Sequence, residues 1–154
     1  MSARPRTLSR VAAVQALYQA EHSEQNPETV IDQFVRHRIG GRGTLDDGEL
    51  TEAHVPLFAQ IVRTATKQQD TLDSMLVAAL PEAWPLDRLD PVLRALLRAG
   101  GAELWLSDGP PAKVVMNEYM DVAHGFFQGD EPRMANGVLN HMAHLLRPAE
   151  FTKV

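Results

Sequence analysis

The sequence predicts an all-α fold of about six or seven helices in two packed helical subdomains. Three observations carry this. Apolar residues recur at helical spacing along most of the chain, Pro and Asn punctuate the boundaries between those runs, and no segment alternates with period two long enough to make a strand. One domain is expected over residues 1–154, with an N-terminal half at 1–80, a connector at 81–90 and a C-terminal half at 91–148.

Each element follows from local chemistry. Val11, Val14, Leu17 and Tyr18 at helical spacing predict a first helix from about Leu8 to His22. Asn26 followed by Pro27 is a capping pair that starts a second helix, burying Val30, Ile31, Phe34 and Val35. The Gly-rich stretch Gly40 to Gly48 is expected as an exposed loop. From Leu57 to Leu80 the apolar period continues unbroken, predicting one long central helix with Pro56 in its first turn and Pro81 as its stop. Asp90-Pro91 opens the next helix, with Val92, Leu93, Leu96, Leu97 and Leu104 apolar. Inside it, Gly100-Gly101-Ala102 predicts either the close crossing of another helix or a local break, since a helical glycine costs about 1 kcal/mol relative to Ala. Pro110-Pro111 starts a helix with Val114, Val115, Val122, Ala123 and Phe126 inward and Asn117, Glu118 and Asp121 outward. Asp130 and Pro132 start the last helix, which buries Ala135, Val138, Leu139, Met142, Leu145 and Leu146 before Pro148 ends it.

Composition limits function. At 154 residues, folding buries roughly 68–70% of the unfolded chain's surface, enough for a core without metals or disulfides. With no Cys, thiolate zinc sites, disulfide frameworks and cysteine nucleophiles are excluded. No apolar run reaches the roughly 20 residues of a membrane span, and the N-terminus has no convincing cleavage signal, so a cytoplasmic protein is expected. The formal charge is −5, yet residues 1–20 hold Arg4, Arg6 and Arg10 and no acid. Such a basic arm on an acidic body reads as an anionic-ligand site or as a solvated tail. Arg outnumbers Lys twelve to three, and the guanidinium fork suits phosphate.

No enzymatic constellation emerges. His141 and His144 lack an HExxH frame, and Asp46, Asp47, Glu49 and Glu52 lack the alternation of a calcium loop. The Gly-rich stretch carries no Lys followed by Ser or Thr, so it is no P-loop. Neither catalysis, metal nor cofactor is expected. One cluster in the C-terminal half is not simple core: Arg133, Asn136 and Asn140 around Gly137, whose missing side chain implies close approach of a helix or a ligand.

Two blocks together resemble the NusB family of bacterial transcription antitermination factors. The first runs from Arg4 to Tyr18 through Ala13-Val14-Gln15-Ala16-Leu17-Tyr18. The second runs from Val92 to Pro148 through Leu93-Arg94-Ala95-Leu96-Leu97-Arg98, Ala102-Glu103-Leu104, Lys113-Val114-Val115-Met116-Asn117-Glu118 and Asn136-Gly137-Val138-Leu139. The resemblance implies a two-subdomain helical fold with no catalytic activity. It also implies pairing with NusE, a small-subunit ribosomal protein, and binding of single-stranded boxA-type RNA in nascent ribosomal transcripts. That complex would join RNA polymerase and suppress premature termination. Arg4, Arg6 and Arg10 would contact RNA, with Arg133, Asn136 and Asn140 near the same surface. Tyr18, Asp90, Leu93 and Arg94 would face NusE. Five positions depart from the family pattern: Met134-Ala135 and Asn140 replace a Phe-Val pair and an Asp, Ala102 an aromatic, and Leu93 an acid. The family includes monomers and homodimers, and the alternative reading is a self-associating helical protein that binds no RNA.

Overall fold

The structure, a computed structural model, describes residues 5–37 and 54–152. Arg4, the Gly40–Gly48 stretch and the acids at 46–52 lie outside the described residues. Seven α-helices and no strand are present among them: α1 (Pro5–Ser23), α2 (Pro27–His37), α3 (Val55–Lys67), α4 (Gln69–Ala79), α5 (Pro91–Trp105), α6 (Ala112–Phe126) and α7 (Glu131–Leu146). Short 3-10 turns at Leu86–Arg88 and Pro148–Phe151 complete the order. None of these helices is long and apolar enough to cross a membrane.

The boundaries form as their side chains dictate. α1 starts on Pro5 and ends before Glu24, whose φ of 55° is the left-handed turn that stops a helix. Asn26 caps α2 by accepting from the Glu28 N–H at 2.8 Å. Asp90 caps α5 in the same way through the Val92 N–H at 2.8 Å. At the other end of α5, Arg147 donates to the carbonyls of Leu104 (2.8 Å) and Leu106 (2.8 Å), satisfying groups a helix terminus leaves open.

The expected single central helix is two. It breaks at Gln68, where ψ is 18°, and α3 and α4 continue on either side. Just upstream, the Thr66 hydroxyl donates to the Val62 carbonyl at 2.8 Å, a back-bond of the kind that bends helices. The apolar period runs straight through because both helices bury their apolar faces: α3 packs on α1, α2 and α5, while α4 packs chiefly on α5 and α7.

Helix α5 is the centre. It buries residues on every side, from Leu93 through Leu104, and touches α1, α3, α4, α6 and α7. Its two glycines are where α7 crosses. A Cβ on Gly100 would come within 2.9 Å of Leu139 Cδ2, and one on Gly101 within 2.9 Å of Met142 Cε. Close crossing, not a break, is therefore their role. On α1 the buried strip is Leu8, Ala12, Ala13, Val14 and Ala16, with Val11, Leu17 and Tyr18 only half-buried. Small alanines let α3 and α5 approach closely. Three side chains expected inside are exposed instead: Val114 (46%), Phe126 (38%) and Leu145 (55%). The inward stripe of α6 is Ala112, Val115, Tyr119, Val122 and Ala123, which keeps Val115, Val122 and Ala123 of the expected face and has Ala112 and Tyr119 in place of Val114 and Phe126.

Candidate nucleic-acid interface and partner groove

The N-terminal arginines divide. Arg6 is exposed and makes no ion pair with any described residue. Arg10 was expected on the RNA-facing surface, and the structure corrects this: it is 2% exposed. Its Nε and NH2 donate to the two oxygens of Glu103 at 2.8 and 2.5 Å, and NH1 donates to Glu118 Oε1 at 2.9 Å. Position on α1 explains the split, because residue 10 lies one turn beyond Arg6 and faces α5 and α6, where Glu103 is fully buried. Thr7 adds a hydroxyl donor to Glu118 Oε1 at 2.7 Å, and Tyr119 donates to Glu103 Oε1 at 3.0 Å.

Burial alone would pull the Arg10 pKa down, but the hydrogen bonds and charge of Glu103, aided by Tyr119 and Glu118, leave it raised. Burial, reinforced by the Glu103 charge, pushes the Tyr119 phenol well above its ordinary value. The network thus holds one guanidinium against two carboxylates and a neutral phenol, tying α1, α5 and α6 together. Glu118, expected outward, is turned partly inward to serve it.

On α7, Arg133, Asn136, Gly137 and Asn140 are all exposed and share one face by their spacing of three and four. Space around Gly137 is open: a Cβ there would meet nothing within 4 Å. No helix crosses it among the described residues, which removes the helix-packing explanation. Arg133 and Asn136 line a hollow of about 370 Å³ with Met120 and His124 of α6. Arg6 lies at the other end of that helix, in a hollow shared with Val114 and Glu118. Val114 and His124 are separated by about 15 Å along α6 at 1.5 Å per residue. Arg6 and Arg133 therefore flank one helix, towards its two ends.

The residues expected to meet a protein partner scatter more. Tyr18 is half-buried, stacked on His22 with ring centroids 4.8 Å apart, and lines a hollow of about 460 Å³ with Gln15, Gln19, Phe34 and Val92. Asp90 is exposed but occupied as the α5 cap. Leu93 is 1% exposed and belongs to the core, so it cannot present a surface. An apolar residue at that position turns inward, where an acid would be drawn to solvent. Arg94 is held by Glu21 of α1 and donates to the carbonyls of Leu86 (3.2 Å) and Leu89 (3.1 Å).

Sequence reasoning missed the larger feature around Arg94. Glu21 also accepts from Arg98 NH1 at 2.6 Å, and Arg98 forms a two-pronged pair with Asp73 of α4 at 2.9 Å on each arm. Arg94, with Arg98, holds the Glu21 carboxyl below its usual range against the opposing effect of burial. These groups line an open groove of about 650 Å³ with Trp84, Val77 and Leu86. Its only sequence signal was the Leu93-Arg94 to Arg98 spacing, one helical turn apart on one face.

The chain matches the NusB family model over residues 7–144, from the first turn of α1 to the last turn of α7. It is 62% identical over 151 residues to the transcription antitermination protein NusB of Granulibacter bethesdensis, covering 96% of this chain and 93% of that one. To the protein of the same name from Gluconobacter oxydans it is 53% identical, covering 91% and 87%. Among solved structures, T. maritima NusB superposes with a TM-score of 0.75 at 24% identity over 98% of this chain and 99% of that one. A NusB chain solved with NusE and double-stranded RNA gives 0.73 at 22% identity over 92% and 98%. Those two likenesses establish the shared fold, and the family match together with near-full-length identity of 62% and 53% establishes kinship: the chain belongs to the NusB family.

Proposed function

We propose that this chain is a transcription antitermination factor, a binding protein and not an enzyme, which pairs with NusE and holds single-stranded boxA-type RNA of a nascent ribosomal transcript. In the cytoplasm the assembly would then engage RNA polymerase and suppress premature termination. The carrying observation is the 62% identity, across 96% of the chain, to a protein named for that function. Geometry supports the reading at residue level. Arg6 and Arg133 are exposed guanidiniums suited to phosphate, and Asn136 and Asn140 are exposed amides suited to base edges. Arg4 would extend the same arm. Arg10 is withdrawn from direct contact and assigned to holding the arm in place.

The partner would sit on the side of α1 and α5 that bears Tyr18, Asp90 and Arg94, beside the Glu21–Arg98 groove. With Arg6 and Arg133 as phosphate contacts, log affinity should fall against log salt with a slope of about −1.4, since each contact to a single strand contributes about 0.7. So small a footprint binds weakly alone, and NusE would supply the remaining contacts. Fluorescence anisotropy of labelled boxA-type RNA tests this, with the chain alone, NusE alone, both together, and a scrambled RNA at the same salt. Selective tight binding by the mixture is the expected result; a mixture no better than NusE alone would refute the proposal.

A further inference from the structure

We propose that the hollow between the first turn of α1 and the first half of α6 is a pocket for one unstacked RNA base, whose flanking phosphate Arg6 takes. The inference rests on the RNA-binding reading above and deepens it. The hollow measures about 520 Å³, within the range of small-ligand pockets. Its apolar walls are Pro5, Pro110 and the half-exposed Val114, surfaces on which a base ring can lie.

Two polar groups complete it. His54 Nδ1 accepts the Leu57 N–H at 3.2 Å, which leaves the ring proton on Nε2, a donor with no partner among the described residues. Glu118 spends Oε1 on Arg10 and Thr7, while its Oε2 has no described partner and is not sealed from solvent. One donor and one acceptor on the same hollow match the paired acceptor and donor that every base presents along its hydrogen-bonding edge. The walls are also fixed in advance. The His54 N–H donates to the Pro5 carbonyl at 3.2 Å and the buried Ser9 hydroxyl donates to the His54 carbonyl at 2.6 Å, so α3 is anchored to α1 at the pocket. Arg10 fixes Glu118 from the other side. Charge selects the occupant: Arg6 at the rim, with no ion pair to any described residue, favours an anionic strand over a neutral apolar ligand.

The test walks an abasic nucleotide through the boxA-type RNA, using the chain paired with NusE. Wild type is compared with a variant carrying His54→Asn and Val114→Ala; Asn keeps the α3 cap and Val114 is exposed, and a thermal melt checks the fold. One abasic position should cost wild type roughly tenfold in affinity, the typical loss of one base contact. In the double variant that position should cost less than about twofold, with every other position unchanged. If each abasic position costs both proteins alike, the pocket is overturned while RNA binding stands. If unmodified boxA-type RNA binds no better than a scrambled strand, the functional reading and the pocket fail together.

Discussion

Replacing Arg10 by Ala separates a structural from a ligand-contacting role. The guanidinium is 2% exposed and makes three hydrogen bonds to two carboxylates, one of them on the fully buried Glu103. Its removal leaves Glu103 in the interior with only the Tyr119 hydroxyl as a described partner. Breaking a buried pair from one side typically costs about 3–5 kcal/mol, because the remaining charge is unpaired in a poorly polarisable interior. For a domain of this size that lowers the midpoint of thermal unfolding by about 6–20 °C. Urea denaturation at pH 7 measures the loss directly, with an unchanged m-value marking it as a change in stability.

A variant within about 0.5 kcal/mol of wild type, as ordinary surface substitutions are, would refute the structural role and return Arg10 to the RNA surface.

Other expectations follow from the same geometry. Arg6→Ala should leave urea stability within about 0.5 kcal/mol and flatten the salt slope of RNA binding by about 0.7. Gly137→Ala, in open space on an exposed helical face, should stabilise by about 1 kcal/mol in chemical denaturation. Gly100→Ala forces the buried Leu139 to move and should be less stable than Gly137→Ala by about 1–3 kcal/mol. Because Tyr119 is pushed above its ordinary value, the stability it contributes is complete below about pH 10 and is lost as pH rises through its folded pKa. Tyr119→Phe should remove that alkaline loss in a series of melts. Glu21 is shifted the other way, so its contribution is present above about pH 4.3 and lost as pH falls below it. Glu21→Gln should flatten the acid limb.

Helix order and most boundaries were legible because boundaries depend on nearby side chains: Asn26, Asp90 and the prolines act within a turn of themselves. The Gly100–Gly101 crossing was legible too, since the helical cost of two glycines demands a packing reason. The break at Gln68 was not, because the apolar period continues across it while α3 and α4 turn to different neighbours. Nor was the inward turn of Arg10. A charged residue beside an apolar face reads as surface unless its partners are known, and Glu103 and Glu118 lie 93 and 108 residues away. Leu93 failed for the opposite reason: resemblance placed a role at a position whose side chain here belongs to the core. Arg133, Asn136 and Asn140 were singled out as a cluster around Gly137, and all three are exposed on one face of α7.

In the proposed complex, RNA lies along α6, from Arg6 to the exposed face of α7, with Arg10 inside. Amide chemical shifts of the isotopically labelled chain, bound to unlabelled NusE and titrated with boxA-type RNA, test it most directly. The largest changes should fall at Arg6, Arg133, Asn136, Gly137 and Asn140. Saturable RNA binding that leaves those amides unmoved and shifts residues of α4 instead would contradict RNA binding along α6.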